Sequence, residues 1–115
     1  QDGGAERSLI LPEASENADP SWFGFLMTAK EGTDRGRLVR YIEGKGIQTR
    51  MLFAGNLIRH PCFDELRSKG EGYRIVGELT NTDRIMRDSF WVGLYPGMTE
   101  EKLSYMAEMI LEGLG

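Results

Sequence analysis

The sequence predicts an α/β fold, a two-layer sandwich in which a small three-stranded sheet carries helices on one face. Three observations lead there. Residues 21–29 form a short aromatic and aliphatic run, of the kind found in a strand buried on both faces. Residues 47–53 alternate, with Ile47, Thr49, Met51 and Phe53 on one side and Gln48, Arg50 and Leu52 on the other. Leu103, Met106, Ala107, Ile110, Leu111 and Leu114 recur at helical spacing.

Taken in order, residues 1–20 hold Gly3, Gly4, Pro12 and Pro20 with little periodicity, and read as an arm or linker. The first strand follows over 21–29, and a polar turn containing Gly32 follows that. Leu38, Val39 and Ile42 define a helix over 34–45, which Gly44 and Gly46 end because glycine tolerates the left-handed cap. The second strand over 47–53 is broken by Ala54, Gly55 and Asn56. Pro61 opens a short helix carrying Phe63 and Leu66, since a missing amide costs nothing in a first turn. A helix is expected over 79–88, capped by Thr80 or Thr82, with Ile85 and Met86 inward. Residues 90–95 form the third strand, closed by Pro96 and Gly97. Thr99 caps the last helix, and Glu100 and Glu101 suit its positive end.

Composition limits the function. The 115 residues are one domain's length, 40% apolar and 28% charged. No apolar run approaches the roughly 18 residues of a membrane span, and none of the usual marks of a secretory leader follows Gln1. The chain is therefore read as cytoplasmic and without a membrane partner, and as a piece of something longer. One cysteine excludes an internal disulfide and a cysteine-only zinc site. The net charge of −4 argues against nucleic acid, although residues 30–50 carry +3 and offer a surface to a small anion.

His60 and Cys62 flank Pro61 at a helix start, where neighbours do not face each other, so neither nucleophilic catalysis nor a metal site is expected of them. The ordinary reading is a buried Cys62 and a His60 at a loop or cap. Glycine spacing matches no dinucleotide or phosphate loop. The amides of Gly55 and Asn56 before a helix start, with Arg50, Arg59 and Arg84, are the candidates for anion contact. Each has the plainer reading of a turn or a surface ion pair.

Four longer words carry more information: residues 19–25 (DPSWFGF), 46–58 (GIQTRMLFAGNLI), 79–86 (LTNTDRIM) and 90–101 (FWVGLYPGMTEE). Together they resemble the C-terminal domain of the DegT/StrS sugar aminotransferase family, of the aspartate-aminotransferase fold. Within it they resemble the 3-dehydrase branch that acts on CDP-4-keto-6-deoxy-D-glucose. The resemblance covers residues 9–115. It implies that residues 21–115 are the C-terminal small domain of a larger fold-type I enzyme whose large domain is absent here.

The resemblance also implies the chemistry. Pyridoxamine or pyridoxal 5′-phosphate and an iron–sulfur cluster would sit in the missing domain, with a histidine replacing the aminotransferases' Schiff-base lysine. The reaction would be C3 deoxygenation of a CDP-sugar on the way to 3,6-dideoxyhexoses of lipopolysaccharide, with electrons from an iron–sulfur reductase partner. The full-length enzyme would be a homodimer. No catalytic residue, metal ligand or bound cofactor is expected in this chain, which alone should be inactive. Phe23 stands where the aminotransferases commonly place histidine, and is expected to line the cofactor pocket. Phe53, Gly55 and Asn56 are expected at the substrate, and Arg84 as an anion ligand whose fork matches phosphate oxygens. The alternatives are a sugar aminotransferase of the same family and a free-standing regulatory ligand-binding module.

Overall fold

A computed structural model describes residues 4–115. Four strands form one antiparallel sheet: β1 (Leu9–Ile10), β2 (Gly24–Ala29), β3 (Thr49–Arg50) and β4 (Ser89–Gly93), in the order β1-β2-β4-β3. The helices are α1 (Arg35–Gly44), α2 (Asp64–Lys69), α3 (Thr80–Asp88) and α4 (Glu100–Leu114). The expected α/β sandwich is present, with four strands rather than three.

The added strand lies within the segment expected to be an arm. Leu9 pairs with Ala29 and Ile10 with Thr28, and Leu9 is only 1% exposed. Two residues show no periodicity, so the sheet partner alone reveals them as a strand. Residues 1–3 of that segment lie outside the described residues.

One sheet face holds the core. Met27 and Ala29 of β2 and Phe90 and Val92 of β4 pack with Leu38, Val39 and Ile42 of α1 and with Met109 and Ile110 of α4. The register places Met27 opposite Phe90 and Phe25 opposite Val92, so alternate side chains of both strands enter one layer. Both long helices carry side-chain caps, Thr99 on α4 as expected and Asp34 on α1 as a further finding. The Asp34 carboxylate accepts from the amide of Arg37, and the Thr99 hydroxyl accepts from that of Lys102.

Several expectations need correction. The first strand begins at Gly24 and leaves Trp22 and Phe23 outside it. It is buried on one face and half-buried on the other. The second strand keeps only Thr49 and Arg50, because the chain turns at Met51, and Phe53 lies beyond it. Neither Thr80 nor Thr82 caps α3, which follows Leu79 without a side-chain cap. Ile85 and Met86 are partly open to solvent rather than inward. Leu103 and Ala107 of α4 are exposed, and Met109 takes a core place instead. Cys62 is exposed, not buried, while His60 does stand at the cap of the turn begun by Pro61.

The chain exposes 8524 Å², against roughly 6,300 Å² for an ordinary monomer of its mass. Its radius of gyration is 16.8 Å, above the about 13 Å usual near this length. Several large apolar side chains are among the exposed ones, including Phe23, Phe53, Leu57 and Val76.

Candidate functional site

The sheet face opposite the core carries Leu26, Thr28, Ser89 and Trp91. Thr28 and Ser89 share a hydrogen bond of 2.7 Å between their hydroxyls. Next to them Trp91 lies flat across Gly24, where a Cβ would stand 2.7 Å from the indole. Glycine is thus required at position 24 by the close approach of the ring. Phe23, the expected cofactor-pocket residue, is 72% exposed and meets Trp91 edge-on at 5.6 Å. The indole nitrogen of Trp91 donates to the carbonyl of Met51, which joins this aromatic pair to the loop after β3.

That loop holds the expected substrate residues. The amide of Phe53 donates to the Met51 carbonyl at 2.7 Å, and that of Gly55 to Leu52 at 2.9 Å. The tight turn puts Phe53 at φ +45°, a left-handed conformation that costs a non-glycine residue about 1–2 kcal/mol. Its ring is 80% exposed, so no packing of its own offsets that cost. Gly55 has φ +63°, and a Cβ there would meet the side chain of Met86 at 2.7 Å and its Cα at 3.1 Å. Backbone conformation and lack of space both require glycine at this position.

Asn56 is 2% exposed, and its side-chain amide donates to Asp83 Oδ1 at 2.7 Å. Arg59 completes a two-pronged bond to the same carboxylate, Nε to Oδ1 at 3.2 Å and Nη2 to Oδ2 at 3.1 Å. These bonds hold the Asp83 carboxyl below its ordinary range, the Arg59 hydrogen bond first and that from Asn56 second. His60 Nε2 bonds the Ala54 carbonyl, and Arg67 reaches the carbonyls of Ile58 and His60. The loop is therefore fastened along its length while the Phe53 ring points outward.

Arg84 is exposed on α3, and among the described residues its side chain makes no hydrogen bond or ion pair. Arg50 is exposed and bonds the carbonyl of Thr49. A chain of contacts thus joins Phe23, Trp91, the Met51–Asn56 loop and α3. A concavity of about 1170 Å³ lies elsewhere, between Ile47, Tyr95 and Tyr105, and none of the expected site residues lines it.

Sequence reasoning missed Trp91 and Asp83. Trp91 was signalled only by a glycine inside an aromatic strand. Asp83 was signalled only by an acid in a helix's first turn, which is common without any tie to a distant loop.

Among the described residues no three His, Cys, Asp or Glu side chains gather to hold a metal ion, and one exposed thiol does not make an iron–sulfur ligand set.

Residues 4–111 match the DegT/DnrJ/EryC1/StrS aminotransferase family. The chain is 53% identical over 109 residues to the lipopolysaccharide biosynthesis protein RfbH of Salmonella typhimurium, covering 93% of this chain and 24% of that protein. It is 46% identical over 106 residues to dTDP-4-dehydro-2,6-dideoxy-D-glucose 3-dehydratase of Saccharopolyspora spinosa, covering 90% of this chain and 22% of the relative. The chain therefore spans about a quarter of the length of these curated relatives. Its fold is similar to that of an E. coli GDP-4-keto-6-deoxy-D-mannose-3-dehydratase with bound hydrated PLP. The TM-score is 0.73 and the identity 22%, over 95% of this chain and 27% of that one.

Proposed function

Since the chain belongs to the DegT/DnrJ/EryC1/StrS aminotransferase family, we propose that it is the C-terminal domain of a pyridoxamine-phosphate-dependent nucleotide-sugar 3-dehydrase. The observation that carries this reading is the identity of 46% over nine-tenths of the chain to a protein named as a 3-dehydratase. The stronger likeness to a lipopolysaccharide biosynthesis protein supports a role in that biosynthesis; the 3,6-dideoxyhexose route and a CDP-4-keto-6-deoxyglucose substrate are proposed from the resemblance of the four sequence words. The cytoplasm is the proposed location. The cofactor, the iron–sulfur cluster, the docking of a reductase and the homodimer contacts are assigned to the larger part of the enzyme.

When bound, the cofactor supplies the electron sink that lets the C3–oxygen bond break. This domain's own share is to close one wall of the cleft. Phe23, backed by Trp91, presents an aromatic edge and excludes water from the cofactor side. Phe53 offers its ring to the apolar face of the sugar, while Gly55 packs on Met86 and the buried Asn56 bonds Asp83 behind it, so these two act through the loop and not by touching substrate as expected. Arg84, without a protein partner among the described residues, meets an anionic group of the nucleotide or cofactor. The large exposed surface fits a domain whose neighbour is the rest of its own enzyme.

The test uses the full-length protein. Pyridoxal phosphate is added, borohydride reduces any Schiff base, and intact mass is read. No covalent adduct is expected, whereas pyridoxamine phosphate added to a parallel sample should be retained. A lysine adduct would move the protein to the sugar aminotransferases and require another role for Phe23. Turnover of the nucleotide sugar by the 115-residue chain alone would overturn the domain reading.

A further inference from the structure

The Met51–His60 loop combines two features that ordinary loops keep apart. Its aromatic tip sits in a left-handed conformation with 80% of its surface open. Yet Asn56 behind that tip is 2% exposed and bonded to a carboxylate 27 positions further along the chain. An exposed aromatic ring would relax to an ordinary conformation unless the backbone on either side of it were fixed. On one side the fixing comes from Trp91, which holds the Met51 carbonyl. On the other it comes from Asp83, which takes bonds from Asn56 and from both prongs of Arg59.

We propose that Asp83 is a positioning residue: through Asn56 and Arg59 it holds the Ala54–Asn56 turn against α3, so that Phe53 is already in place for a sugar ring before substrate arrives. This rests on the reading of Phe53 as a substrate contact. Asp83 itself touches no substrate. Its carboxylate is the common acceptor of a buried amide and a guanidinium fork, and Asp83→Asn removes the charge and sets an amide NH2 donor against one of those three donors. The Arg67 bonds fasten the Leu57–His60 turn, whereas His60 bonds the Ala54 carbonyl beside Phe53 and is a second tie on the turn, independent of Asp83. Ordering the ring in advance removes the entropic cost of ordering it on binding, so the effect belongs in substrate affinity rather than in the chemical step.

The experiment compares the full-length enzyme with its Asp83→Asn, Phe53→Ala and doubly substituted forms. It reads kcat and KM for a nucleotide 4-keto-6-deoxyhexose, and deuterium exchange over residues 51–60. Asp83→Asn and Phe53→Ala should each raise KM by about fivefold to tenfold with kcat within about twofold, and the double variant should be no worse than Phe53→Ala. Exchange of the Gly55 and Arg59 amides should quicken by about tenfold in Asp83→Asn. Multiplying KM effects in the double variant, or unchanged exchange, would overturn the proposal. If the unsubstituted enzyme does not turn over the sugar, the functional reading fails and exchange alone decides the clamp. If Asp83→Asn does not fold, Arg59→Gln opens the fork from its solvent side and is read in the same way.

Discussion

Phe23 stands edge-on to Trp91, with ring centroids 5.6 Å apart and planes at 70°. That geometry sets the positive edge of one ring against the negative face of the other, and is worth about 0.5–1.5 kcal/mol. With 72% of Phe23 exposed, its removal should cost little stability. Phe23→Ala should lower the unfolding free energy by about 1 kcal/mol or less. Phe90→Ala, at 0% exposure in the core, should cost about 3–5 kcal/mol. Urea unfolding of the two variants checks the contrast, and equal losses would mean that Phe23 is packed as a core residue.

Gly55→Ala should be costly for its size. A Cβ at φ +63° is strained in itself, and it would meet both the side chain and the Cα of Met86. A loss of about 1–3 kcal/mol is expected, measured by urea unfolding. Gly32→Ala is the comparison, since it has φ +84° but nothing within 4 Å, and should lose less.

Phe53→Gly should act in the opposite direction. Glycine relieves the strain at φ +45°, and the exposed ring gives up almost no buried area. Part of the gain is lost to the freer unfolded chain. A net stabilisation of about 0.5 kcal/mol is expected by urea unfolding, together with a higher KM in the full-length enzyme. A lower stability would show that the ring has packing of its own.

The Arg59–Asp83–Asn56 bonds should fail in acid. Asp83 titrates below its ordinary 3.8 in the folded state because Arg59, and then Asn56, hydrogen-bond its charged form. A carboxyl depressed by folding contributes stability that is present above its unfolded value and is lost as pH falls through the folded one. The stability gap between the unsubstituted chain and Asp83→Asn should be constant from pH 7 to about 5 and close below about 3.8. Urea unfolding at several pH values reads it, and a gap that persists in acid would rule out the charged form as the source. The comparison with Asp83→Asn separates this effect from Asp34, whose pKa the Arg37 amide lowers in the same direction.

The helix caps give the simplest check. Asp34→Ala and Thr99→Ala each leave a first-turn amide without its acceptor, that of Arg37 or of Lys102. Each should cost about 1 kcal/mol, read as a lower urea midpoint.

Much of this fold is legible in the sequence. Residues at period 3.6 determine α1 and α4, and Thr99 as cap fixes the start of α4, because both signals act within a few positions along the chain. The end of α1 before Gly46, the turn after Pro61 and the strand at Phe90 are legible for the same reason, although Gly44 is the last helical residue and not a left-handed cap. The four long words led to the family, which the match over residues 4–111 then bore out.

What the tertiary structure decided depends on distance across the chain. Leu9 is a core residue only because β2 is there to pair with it, and two residues have no period to read. Phe53 left its expected strand because the chain turns at Met51, a geometry fixed by hydrogen bonds to Trp91 and within the turn itself. The role of Asp83 is set by Asn56 and Arg59, which lie 27 and 24 positions away. A sequence states local preference directly, whereas a contact over such a separation exists only once the chain has closed the loop that brings its ends together.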